Sequence, residues 1–241
     1  MKLDNTAGFT IIETMLFLGI TALLIMGVLV GTGTSINIQR YHDSVTSLQS
    51  VLQQQFSDVS NASNDNAGNL ACYGDGSTSA RGQSNCVLLG RLISTPDGKT
   101  IYQRNIIGYE PDNLVLSQND VSALQQYNIQ VSPIPGETYS IEWGASIVRP
   151  GGNTPLTFSM LVLRSPASGV LRTFIIPNTY IDGSVVKDLQ NLVNTPALAQ
   201  TITACVSPNG LSSSGKSSVI IDAYSTSGSG IETKGEVSSG C

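Results

Sequence analysis

Hydrophobic and polar positions divide the chain into stretches of different rhythm. From Phe9 to Val30 it reads FTIIETMLFLGITALLIMGVLV, apolar almost throughout. A helix of about 22 residues is about 33 Å long, the thickness of a bilayer core. From Tyr41 the apolar residues thin to a stripe. Tyr41, Val45, Leu48, Leu52, Phe56 and Val59 recur every three or four positions, with Gln, Ser, Asp and Arg between them. This spacing predicts one amphipathic helix face packed on the protein's own sheet. No proline precedes Pro96, so nothing in the sequence breaks the helix. The segment SNASNDNAGN (60–69) has no apolar period and ends it.

After Val87 the rhythm becomes strand-like. VLLGRLI (87–93), TIYQRNIIGY (100–109), ETYSIEWGASIV (137–148), LTFSMLVLR (156–164), GVLRTFIIP (169–177) and SVIIDAYS (218–225) are rich in β-branched and aromatic residues. PDG, PIPG, RPGGN and SPASG punctuate them. Residues 156–177 read as a hairpin. Short helices are predicted at 119–127 and 184–194. The expected fold class is α+β: a long N-terminal helix, half membrane-type and half amphipathic, laid on an antiparallel β-sheet head, with no internal repeat.

Glu13 interrupts the first stretch. A carboxylate inside a membrane helix costs on the order of 2.5 to 3.5 kcal/mol even on insertion scales. No Lys or Arg lies between Glu13 and Arg40, so the helix offers it no partner. A freed α-amino group, its own or a neighbouring chain's, would serve. A simple secretory signal would need a basic start, a shorter apolar core and a small-residue cut site. Here the start holds one Lys and one Asp, and GTGTSIN after the run is a poor cut site. A plain membrane anchor explains the length but not Glu13.

Gly8-Phe9-Thr10-Ile11-Ile12-Glu13 resembles the class III signal of type IV pilins and pseudopilins. The resemblance implies a leader at 1–8, a transmembrane and assembly helix at 9–33, its amphipathic continuation at 34–60 and a globular β-rich head at 61–241. It implies cleavage after Gly8 by a prepilin peptidase, N-methylation of Phe9, and pairing of Glu13 with the Phe9 amine of an adjacent subunit. The implied partners are other pilin subunits, the peptidase/N-methyltransferase and a membrane assembly platform. The chain would be a single-pass membrane protein with its head outside, later part of an extracellular filament. A head of about 180 residues leans toward a minor pilin. A pseudopilin of a secretion or competence system and an anchored binding protein that never polymerises are the alternatives. Family leaders carry more basic residues than MKLDNTAG, and many family helices kink at a proline. Gly27, Gly31 and Gly33 take that place here.

The remaining composition removes other classes. Net charge is −5, with no Lys/Arg run, so no footprint for a nucleic-acid backbone exists. Four cysteines, Cys72, Cys86, Cys205 and Cys241, lack the CxxC spacing of zinc sites. An even count in an exported chain suggests disulfides, with three connectivities open. Sequential pairing closes two modest loops, and Cys241 could instead pair between chains. Among pilins a C-terminal disulfide loop shapes the filament surface; here the likeness is of position only. Asp65 and Asp75 do not supply the convergent carboxylates of a calcium site.

Gly210 to Ser217 matches the P-loop pattern G-x-x-x-x-G-K-[ST], but that mechanism needs a helix after it, and SVIIDAYS reads as a strand. No nucleotide is expected. His42 is the only His and assembles no triad, and Trp143, the only Trp, is expected in the core of a strand. Neither enzyme activity nor any cofactor or metal is expected.

Overall fold

The computed structural model describes residues 10–61, 86–109, 119–127, 129–181, 200–210 and 215–241. Helix α1 runs unbroken from Ile11 to Ser60, 50 residues and so about 75 Å long. Thr10 caps it, its hydroxyl accepting the Glu13 N–H at 3.3 Å. At the other end the Asn61 N–H closes on the Ser57 carbonyl at 2.8 Å. The stripe expected from the sequence is the buried face: Tyr41, Val45, Leu48, Leu52, Phe56 and Val59, joined by Ser44 and Gln55. Before Tyr41 the helix stands free, and its most apolar window is wholly uncovered.

Ten strands follow among the described residues. They are β1 (Cys86–Thr95), β2 (Thr100–Tyr109), β3 (Gln130–Val131), β4 (Glu137–Ser140), β5 (Ser146–Val148), β6 (Phe158–Arg164), β7 (Leu171–Pro177), β8 (Ile202–Ser207), β9 (Ser217–Ile221) and β10 (Ile231–Lys234). They form two antiparallel sheets. The first has the order β3-β2-β1-β6-β7, with β4 also on β2; the second is β10-β9-β8-β5. The predicted hairpin at 156–177 is β6–β7, in register from Phe158 opposite Pro177 to Arg164 opposite Leu171.

The helix stripe closes one core with Ile93, Phe158, Met160 and Ile175 of the first sheet and Val206, Val219, Ile221 and Ile231 of the second. The first sheet has a second buried face. There Leu92, Ile106, Leu161, Leu163 and Phe174 pack with Leu124 and Tyr127, beneath the short helix α2 (Asp120–Gln126). Strand β6 lies between these faces, and its run FSMLVL is buried at every position. A strand covered on both sides reads as continuous apolar sequence, not alternation. Helix α2 matches the 119–127 prediction, with Asn119 capping the Ser122 N–H at 2.8 Å.

Two expectations change. ETYSIEWGASIV is not one strand. Its first half, β4, pairs with β2, and its last residues, β5, pair with β8. Between them a 3-10 turn, Glu142–Gly144, carries the chain from one sheet to the other. Trp143 sits in that turn at φ 55° and is 51% exposed, not in the core. Crossing between sheets takes consecutive left-handed residues, Trp143 and Gly144, and these turn the indole outward.

Strands β8 and β10 were not expected. ITACVS holds small residues at its centre, and IETK is a short polar edge. The predicted helix at 184–194, the loop after residue 61 and Cys72 lie outside the described residues. Cys86 opens β1, but its side chain also lies outside them, so no partner is assigned to either.

The β1–β2 turn joins the sheets again. The Asp97 carboxylate accepts the N–H groups of Lys99 and Thr100, each at 2.9 Å. Gly98, at φ 68°, lies so close to β5 that an added Cβ would stand 2.2 Å from the Ile147 carbonyl oxygen.

Candidate functional site: the free helix and its seat on the head

Gly8 and Phe9 lie outside the described residues. Glu13 is the third residue of α1, and Thr10 to Glu13 has the spacing of a capping box. The positive end of the helix dipole favours a carboxylate in this first turn. The sequence from Thr14 to Gln39 contains no charged residue. Its hydroxyls turn inward: Thr21 donates to the Phe17 carbonyl and Thr32 to the Val28 carbonyl, both at 2.9 Å. A helix in lipid must satisfy its polar groups from within in this way. The outward surface is Ile11, Ile12, Met15, Leu16, Phe17 and their successors, all more than half exposed through Leu18.

Where α1 enters the head, five sets of contacts fix it. The buried Tyr41 hydroxyl donates to the Val206 carbonyl at 2.8 Å and accepts the Ser217 N–H at 2.6 Å. It thereby ties the helix to the ends of β8 and β9. The Cys205–Cys241 disulfide lies beside it, with Cα atoms 5.8 Å apart and Cys205 fully buried. In the chain-entropy picture a crosslink over 36 residues stabilises by about 4 kcal/mol.

Gln49 and Gln53 donate to the Ile231 carbonyl at 3.1 and 3.0 Å and so hold the edge strand β10. Arg91 of β1 reaches Asp58 at 3.2 Å and the Gln55 side-chain oxygen at 3.1 Å. At the exit point the Arg40 guanidinium lies 4.8 Å from the centroid of the Trp143 ring. One turn and more further in, Ser47 donates to Glu142 at 3.3 Å and accepts from the Tyr139 hydroxyl at 3.0 Å.

Sequence reasoning marked Tyr41 as core but not as a hydrogen-bonding clamp. It passed over Gln49, Gln53 and Arg40. The signal for the glutamines was their spacing of four on the flank of the stripe. His42 is exposed, its ring 5.9 Å from that of Tyr41. In the P-loop-like segment the lysine, Lys216, donates to the Gly152 carbonyl, and strand β9 begins at Ser217, where a phosphate site would need a helix.

No family model matches the chain, and no curated protein or solved structure shows a significant match. The fold therefore defines the class by itself: a long N-terminal apolar helix packed through its second half on antiparallel sheets, a pilin-like architecture. The helix suggests a membrane anchor or signal, and the disulfide points to an oxidising compartment outside the cytoplasm.

Proposed function

We propose that the chain is a type IV pilin-type subunit, processed after Gly8 and polymerised through α1 into a surface filament. One observation carries this reading: a disulfide-closed head bears a free, charge-depleted apolar helix whose first turn holds a single carboxylate. A soluble protein would bury such a surface, and a plain anchor has no use for Glu13. In this reading the precursor sits in the membrane with its head outside. Cleavage frees the Phe9 amine. On assembly Glu13 of an incoming subunit meets that amine on its neighbour, and in low dielectric the unpaired alternative is costly. The pair sets the axial register. Burial of the apolar helices against one another supplies the cohesion, several kcal/mol for a few hundred Å² at about 25 cal/mol per Å². The head acts through its surface and carries out no catalysis.

Mass spectrometry of the mature N-terminus tests this, comparing membranes with material sheared from the cell surface. An N-methylated Phe9 start in the sheared fraction supports both processing and polymerisation. The same start confined to membranes favours a pseudopilin. An intact Met1, or a cut near Gly33, removes the pilin reading.

A further inference from the structure

The charge-free part of α1 is longer than its apolar run. From Thr14 to Gln39 it covers about 26 residues, or about 39 Å of helix. The hydrocarbon core of a bilayer is about 30 Å thick, and the headgroup layers bring the total to about 40 to 45 Å. With Glu13 at the inner end of the span, this length lets Arg40 reach the outer headgroup layer. A typical tilt of about 20° shortens the span by only about 2 Å.

Arg40 is the only Lys or Arg on α1, and it is exposed. The turns just before it leave Ile36 and Ile38 uncovered, at 48% and 44% exposure, in the mixed setting of an interfacial layer. The head brings Trp143 to the same level, and the Arg40 guanidinium overlies its ring at 4.8 Å. Its left-handed backbone is costly for a bulky side chain. The turn is held in that shape by the Ala145 N–H on the Glu142 carbonyl and by the Asn209 side-chain amide on the Gly144 carbonyl, at 3.1 and 3.0 Å. Indole rings collect at membrane interfaces, and guanidinium groups bind phosphate. Two acids lie near: Glu142, which accepts from Ser47 two helical turns deeper, and Asp43, exposed about one turn along α1.

We propose that, before any assembly, the head is seated on the outer leaflet through Arg40 and Trp143, with phospholipid phosphate as the group that Arg40 binds. This rests on membrane insertion of α1 and not on polymerisation. The seat fixes the rotation and height of the head above the bilayer, and the contact is released when a subunit leaves the membrane.

Trp143 is the only Trp in the chain, so its fluorescence reports the contact directly. The full chain is reconstituted in vesicles of phosphatidylcholine and phosphatidylglycerol that carry a nitroxide either on the headgroup or at mid-chain. The expected result is a large loss of Trp143 emission with the headgroup label, little loss with the mid-chain label, and recovery of emission in Arg40→Ala. A Phe17→Trp, Trp143→Phe variant checks insertion, since it places the indole in the span. Quenching of that control at mid-chain, with Trp143 untouched by the headgroup label, overturns the proposal while leaving insertion intact. If the control is not quenched either, insertion fails and the proposal with it. A Trp143 signal that changes only with protein-to-lipid ratio assigns the surface to a second copy of the chain, and also overturns it.

Discussion

The hydroxyl of Tyr41 donates to the carbonyl of Val206 across 165 residues of sequence, at 2.8 Å in a fully buried setting. The same oxygen takes the Ser217 N–H, so one side chain completes two backbone groups where β8 and β9 meet. Replacing Tyr41 by Phe keeps the ring and strands both groups. A buried unpaired polar group costs about 1 to 3 kcal/mol, so thermal unfolding of the detergent-solubilised chain should fall to a clearly lower Tm. An unchanged Tm would mean that the Val206 carbonyl and the Ser217 N–H pair directly once the hydroxyl is gone.

The disulfide lies one residue from this clamp, and the two should not act independently. Replacing Cys205 and Cys241 by Ser should cost about 2 to 5 kcal/mol in chemical denaturation. Combined with Tyr41→Phe, the loss should differ from the sum of the parts by about 0.5 kcal/mol or more, because both changes loosen the same end of β8. Strict additivity in that cycle would show that the helix seat and the crosslink are separate devices.

Glu13→Ala should leave processing after Gly8 largely intact and impair assembly. The readout is mature subunit in membranes with little in the sheared fraction. The capping role predicts only a small loss at the helix start, since Thr10 remains. Filaments of normal yield from this variant would remove Glu13 as the register residue.

Acid should weaken the head through two carboxylates. At Asp120 hydrogen bonds from Ser168, then Ser165 and Arg172, hold the carboxyl below its ordinary 3.8 despite some burial. At Asp97 burial pushes upward, but the N–H groups of Lys99 and Thr100 outweigh it and the net shift is again downward from 3.8. A lowered folded-state value means that the native state holds the proton more weakly than the unfolded chain. The stabilisation is complete above the unfolded value and is lost as pH falls through about 4 and below. Unfolding midpoints measured across that range should decline, and Asp120→Asn should flatten the decline. A slope unchanged by that variant would place the sensitivity elsewhere.

The parts of this fold that were legible in the sequence are those set by local period. Tyr41 to Val59 announced the helix face because six apolar residues keep a 3.6-residue rhythm among polar neighbours. The β6–β7 hairpin was legible from two apolar runs around SPASG. What was not legible depends on distant partners. Nothing local distinguishes a strand from two half-strands in ETYSIEWGASIV, because β4 is fixed by β2 and β5 by β8. The same holds for the Trp143 turn between them. The short β10 exists because Ile231 meets Ile221 on one side and the Gln49 and Gln53 amides on the other. At the candidate site Glu13 was legible from its isolation among apolar residues. The seat of the helix was not, since its hydrogen bonds reach partners 36 to 182 positions away.

That separation sets a timetable. Tyr41, Gln49 and Gln53 leave the ribosome early, whereas Val206, Ser217 and Ile231 follow more than 150 residues later. At synthesis rates of about 5 to 20 residues per second the delay is on the order of ten seconds or more. Throughout it the oily stripe of α1 lacks the second sheet it will lie on. The nascent chain therefore emerges with its future core uncovered, and that stripe needs shielding until the final strands arrive.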